Sequence, residues 1–116
     1  MNFRKLDVYQ RAVRFLPLAA GIADALPPKY SGLADQIRRA SLSIPLNIAE
    51  GSGKRTAADG RRYYAIARGS AMECGAVIDA CIALELIDGR TGEAADEVLG
   101  GVIQMLSRMC LEPGER

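Results

Sequence analysis

Histidine is absent from all 116 residues, and that one omission removes most of the chemistry open to a small domain. Without an imidazole there is no Ser-His-Asp or Cys-His nucleophile and no Glu-x-x-His ligand pair of a di-iron bundle. The usual zinc sites go with it. The stretch Gly51-Ser52-Gly53-Lys54-Arg55-Thr56 superficially resembles a phosphate-binding loop. That motif needs a glycine where Ile48 stands and a Ser or Thr where Arg55 stands, and it follows a strand rather than a helix. Glu50 and Glu73 are the remaining pair that could act as acid and base, but nothing in the sequence places them together, and capping, pairing with an arginine or solvation explains each better. The three cysteines include no C-x-x-C pair, which argues against a disulfide framework and a zinc site. Cys74 and Cys81 share one helix face about 10 Å apart, too far for a disulfide, and read as core residues of a protein in a reducing compartment. The sequence therefore predicts no enzyme, no cofactor and no metal.

The positive signal is charge. Residues 1–68 carry twelve Lys and Arg against five Asp and Glu, whereas residues 69–116 carry three against nine. A net charge of +1 thus conceals a basic half and an acidic half. Arg38-Arg39, Lys54-Arg55, Arg61-Arg62 and Arg68 concentrate the basic half on the second helix, the loop after it and the start of the third. Such groups can neutralise phosphates and release counterions. Only Tyr63 and Tyr64 are at hand to stack on bases, and the periodicity places Tyr63 in the core. The alternative is that the two halves neutralise each other within the bundle or between subunits.

These residues are carried by four predicted helices, at about 7–25, 32–51, 58–86 and 92–111. Asp7 is the expected N-cap of the first, with Tyr9, Ala12, Val13, Leu16, Ala20 and Ala23 facing inward, and Pro27-Pro28 ends it. Leu33, Ile37, Ala40, Ile44 and Ile48 form the buried stripe of the second. Pro17 and Pro45 lie inside helices and should kink them. Gly51–Ala58 reads as a polar loop. The third helix has a seam from Tyr63 through Ala67, Ser70, Cys74, Val77 and Cys81 to Leu84. Asp88-Gly89-Arg90-Thr91 reads as a turn. Ala95, Val98, Leu99, Val102, Leu106 and Met109 face the fourth helix inward, and Pro113-Gly114 stops the chain. Four helices with short loops make an all-α, antiparallel up-down-up-down bundle in one domain, with a Pro-kinked second helix. The longest apolar run, Phe15–Ala23, falls far short of the ~20 residues of a membrane span, and with Asp7 and Gln10 before it makes a poor signal peptide. A cytoplasmic location follows as the expectation.

The run QIRRASLSIPLNIAEG from Gln36 to Gly51 is a specific pattern. With Asp7-Val8-Tyr9-Gln10 and Ala67–Glu73 it resembles the bacterial four-helix-bundle family encoded within intervening sequences of 23S ribosomal RNA genes. The same fold is similar to the accessory protein of diversity-generating retroelements. The residues that match are Arg38, Arg39, Ser43, Pro45, Asn47, Glu50 and Gly51, then Gly69, Ser70 and Glu73. The resemblance implies a ring-shaped homopentamer and, for the retroelement relatives, binding to nucleic acid and to a reverse transcriptase. It implies no settled activity for the ribosomal-RNA members.

The reading that follows is a non-enzymatic oligomeric module with a basic face for structured RNA or DNA. Arg38, Arg39, Lys54, Arg55, Arg61 and Arg62 are the expected phosphate contacts. Ser43, Pro45, Asn47, Glu50, Gly51, Gly69, Ser70 and Glu73 form a structural or interaction motif. The second reading is a protein scaffold in which Arg38 and Arg39 meet Glu93, Asp96 or Glu97 of another subunit.

Overall fold

A computed structural model of the chain describes residues 2–112, so the expected stop at Pro113-Gly114 lies outside the described residues. Four helices, α1 (Asp7–Ala25), α2 (Ser31–Ser52), α3 (Ala57–Ala83) and α4 (Gly89–Met109), form the bundle. Short 3-10 turns at Phe3–Lys5 and Pro28–Tyr30 lead into α1 and α2. Each helix packs on its neighbours in sequence, and α4 closes on α1. The result is a rod of 44 × 22 × 20 Å. No described helix is long and apolar enough to cross a membrane.

The core runs down the rod axis and is built from small and branched side chains. Ala12, Ile37, Ile48, Ala67, Ala71 and Val102 are all fully buried. Phe15, also fully buried, is the largest. It explains one departure from expectation, since the buried stripe of α1 is Val8, Ala12, Phe15, Ala19, Ile22 and Ala23. The expected stripe shares Ala12 and Ala23 with it, but its Tyr9, Val13, Leu16 and Ala20 each lie one position out of register. Apolar residues surround α1, and burying the Phe15 ring decides which face turns inward. In α3 the same adjustment brings Ala71 and Ile78 inward and leaves Tyr63 and Ser70 only half-buried and Leu84 exposed.

Helix ends differ where a less familiar residue does the capping. Leu6, extended and without a side-chain cap, precedes α1, and Asp7 is its first helical residue. There its carboxylate still favours the positive end of the helix dipole. α3 stops at Ala83 rather than Leu86. Glu85 takes a left-handed φ of 58°, and Leu86 N–H donates to Cys81 O while Glu85 N–H donates to Ile82 O. That 6→1 and 5→2 pairing is a Schellman stop, with a glutamate in the usual glycine position. α4 begins at Gly89 because the Asp88 side chain accepts the Thr91 N–H at 2.7 Å, so the expected turn is a capped helical start. Pro17 and Pro45 sit inside α1 and α2, which continue past them. Each removes one backbone hydrogen bond without ending its helix.

Candidate nucleic-acid interface

The turn between α2 and α3 is short because the two helices nearly touch there. A Cβ on Gly51 would lie 3.0 Å from the Gly60 carbonyl oxygen and 2.6 Å from a Tyr64 ring carbon. A Cβ on Gly60 would lie 3.0 Å from the Gly51 carbonyl oxygen. Two glycines thus let the backbones meet, and residues 53–56 complete the turn. Thr56 caps α3 by accepting the Asp59 N–H at 3.1 Å. This crossing holds Lys54, Arg55, Arg61 and Arg62 at one end of the rod.

The four cations are not equivalent. Lys54 Nζ lies 3.2 Å from Glu50 Oε2 and 4.6 Å from the centre of the Tyr63 ring. The hydrogen bond to Glu50, followed by the Tyr63 hydroxyl, holds its pKa above the ordinary lysine value, so it stays charged. Tyr63 is therefore a half-exposed platform under Lys54, where the periodicity had placed it in the core. Arg62 faces Asp59 at 3.7 Å. Arg55 and Arg61 have no carboxylate partner among the described residues. Both line an open cleft of about 230 Å³ with Ser52, Lys54, Thr56 and Tyr64. Burial raises the Tyr64 pKa, which keeps its hydroxyl protonated and able to donate.

Three further cations belong to the same end. With four antiparallel helices, α1 must begin and α4 must finish where α2 turns into α3. The 3-10 turn carrying Arg4 and Lys5 packs against α2, and Arg4 stacks 4.6 Å over Phe3. Arg108 lines a second cleft with Leu6 and Met109, and Met109 also lines the first. The basic pairs named from sequence omit these three, whose only signal is topology.

Arg38 and Arg39 lie elsewhere. Thirteen residues separate Arg39 from Ser52 at the end of α2, about 20 Å along the helix. Arg38 is held by Asp24 at 3.0 Å and Asp35 at 3.6 Å. Arg39 donates only to neutral oxygens, the Asp35 carbonyl and Gln36 Oε1. The six expected phosphate contacts thus form a cluster of four and a separate pair.

The Gln36–Gly51 motif proves to be a polar seam between α2 and α3. Ser70 Oγ donates to Ser43 Oγ at 2.8 Å, and Asn47 Nδ2 donates to the Ser43 carbonyl at 2.8 Å and hydroxyl at 2.9 Å. One level up, Gln36 donates to Glu73. Glu50 is engaged by Lys54 about 20 Å further down α2, so Glu50 and Glu73 do not form a carboxylate pair. Pro45 is buried, whereas Gly69 faces open space.

The family model of the 23S rRNA-intervening sequence protein matches residues 4–108, nearly the whole bundle. The chain belongs to that family. Solved structures similar to this member of the 23S rRNA-intervening sequence protein family include one from Bacteroides thetaiotaomicron, described as a protein of unknown function from the S23 ribosomal protein family. It superposes with a TM-score of 0.83 at 20% identity, covering 90% of this chain and 99% of that one. At that identity the likeness concerns the fold. No curated protein matches.

Proposed function

We propose that this member of the 23S rRNA-intervening sequence protein family is a non-enzymatic, self-assembling module whose basic end binds the phosphates of structured RNA or DNA. The observation that carries the reading is the Gly51/Gly60 crossing, which brings Arg55 and Arg61 to one cleft with neither tied to a carboxylate. Lys54, Arg62, Arg4, Lys5 and Arg108 extend the same end. Guanidinium groups offer paired donors to phosphate oxygens, and the half-exposed Tyr63 and Tyr64 give bases a place to stack. The retroelement likeness extends the proposal to a reverse transcriptase as protein partner.

The test is fluorescence anisotropy with a labelled structured RNA and a duplex DNA at ~50 and ~200 mM salt. Several phosphate contacts should cost orders of magnitude in affinity over that interval. The variant Arg55→Ala/Arg61→Ala should bind every sequence more weakly, with a log–log salt slope shallower by about two. Absent binding at ~50 mM, or wild-type affinity in that variant, would overturn the proposal.

A further inference from the structure

The acidic half of the chain folds into a groove with a definite shape. Between α3 and α4 runs a cleft of about 380 Å³ lined by Met72, Gly75, Ala76, Asp79, Asp96 and Ile103. Because the helices are antiparallel, Asp79 and Asp96 stand together at one end, and Met72 and Ile103 stand together at the other. The glycine and alanine leave the floor between them shallow and apolar. Neither aspartate has a cationic partner among the described residues. Asp96 is pushed above the usual carboxylate range, first by burial and then by the nearby Asp79 charge. A cation seated between them would offset both effects by favouring the charged carboxylates.

The same chain carries a complementary ridge. Arg39, Leu42 and Leu46 follow one another at helical spacing on the solvent face of α2, and the two leucines are 50% and 56% exposed. Large apolar side chains left in water on one helix face mark a contact surface. Arg39 is the α2 arginine without a carboxylate, since Asp35 is taken by Arg38. Seven residues separate Arg39 from Leu46, and seven separate Asp79 from Met72. Both stretches are therefore about 10 Å long, with charge at one end and apolar bulk at the other.

We infer that the Arg39–Leu42–Leu46 ridge of one copy seats in the α3/α4 groove of a second copy, with α2 running antiparallel to α3. Arg39 then lies between Asp79 and Asp96, and the leucines cover Gly75 and Ala76 between Met72 and Ile103. α2 and α4 are diagonal in the bundle, so ridge and groove lie on nearly opposite sides. The contact is consequently heterologous and propagates until a ring closes or a filament grows. This inference rests on the self-assembly in the proposed function and names the surfaces that perform it.

The test is sedimentation velocity of the full chain at ~10 to ~100 µM, for wild type, Arg39→Glu, Asp79→Arg and the combination of both. The substituted positions are exposed, and far-UV circular dichroism verifies that each variant is folded. Wild type should sediment as an oligomer. Each single reversal places like charges in contact and should weaken association at least about tenfold. The combined variant should recover part of the mass lost in the singles, because it restores the pair at position 79 with its signs exchanged while Asp96 keeps its charge. A monomeric wild type, a single variant that keeps wild-type mass, or a combined variant no better than the singles would overturn the inference. Anisotropy on the same Asp79→Arg protein separates the two readings. Dispersed protein that still binds in a salt-dependent manner leaves the basic end standing, whereas intact oligomers that bind nothing defeat the nucleic-acid reading alone.

Discussion

At the scale of single residues, the basic end depends more on two missing side chains than on its arginines. Gly51 and Gly60 allow a backbone approach that alanine would obstruct, and the Gly60 carbonyl cannot swing away as a side chain can. Gly51→Ala should therefore cost about 1–3 kcal/mol, the range for overpacking a tight contact. Urea denaturation checks it, and an unchanged midpoint would mean that Tyr64 and the α2–α3 turn yield freely. Residue identity carried much of this end in advance, because Lys54-Arg55 and Arg61-Arg62 flank a glycine-containing loop. It missed the division of labour, in which Lys54 and Arg62 are paired and Arg55 and Arg61 are free. Such pairing depends on Glu50 and Asp59 lying one turn away on a correctly phased helix.

At the scale of elements, the four helices were readable because their breaks are written in proline and glycine. Pro27-Pro28 and Gly53 sit where the chain turns, and the ends of α1 and α2 fall within a residue or so of expectation. The α3–α4 connection was harder to read because glutamate and aspartate perform the stops there. Glu85 in a left-handed conformation costs roughly 1–2 kcal/mol that glycine would not. Glycine gives back about 0.5–1 kcal/mol through its freer unfolded chain. Glu85→Gly should thus stabilise the protein by about 0.5–1 kcal/mol, seen as a higher urea midpoint at unchanged slope. A lower midpoint would show that the Glu85 side chain contributes more than its backbone strain removes. The phase of α1 failed for a related reason. Apolar residues ring that helix, and Phe15 is fixed inward only by the neighbours that receive it, which a single helix's periodicity does not contain.

At the scale of the whole molecule, stability and charge are distributed unevenly along a narrow rod. The core has little aromatic bulk, and its polar-capable atoms include the buried thiols of Cys74 and Cys81. Burial first, and then the Glu73 charge, pushes Cys74 up to about 12. Burial raises Cys81 too. In the unfolded chain these thiols ionise near ~8.5, so the folded state alone keeps them neutral above that pH. Their contribution is fully present below ~8.5 and is lost as pH rises toward the folded values. The slope approaches about 1.4 kcal/mol per pH unit for each thiol that stays neutral. Urea midpoints measured at pH 7.5, 8.5 and 9.5 should fall slightly across the lower interval, by whose end half of the unfolded thiols are ionised, and more steeply across the upper one. A flat profile would show that the thiols ionise in place. Arg38 and Arg39 make the parallel point about sites. They read as part of one basic segment, yet a helix converts thirteen residues into about 20 Å, which puts them on another surface.

The bundle's parity has a consequence for anything tethered to it. Residues 2 and 112 emerge beside the α2–α3 turn, so a neighbouring domain, a tail or an affinity tag joined at either side hangs over Arg55 and Arg61. A tether of that kind holds its cargo there at high effective concentration. An acidic cargo would compete with phosphate for the cleft and mimic a loss of affinity, and a basic one would supply affinity of its own. The connection at 84–88, at the far end of a 44 Å rod, is the insertion point that keeps a reporter clear of the arginines.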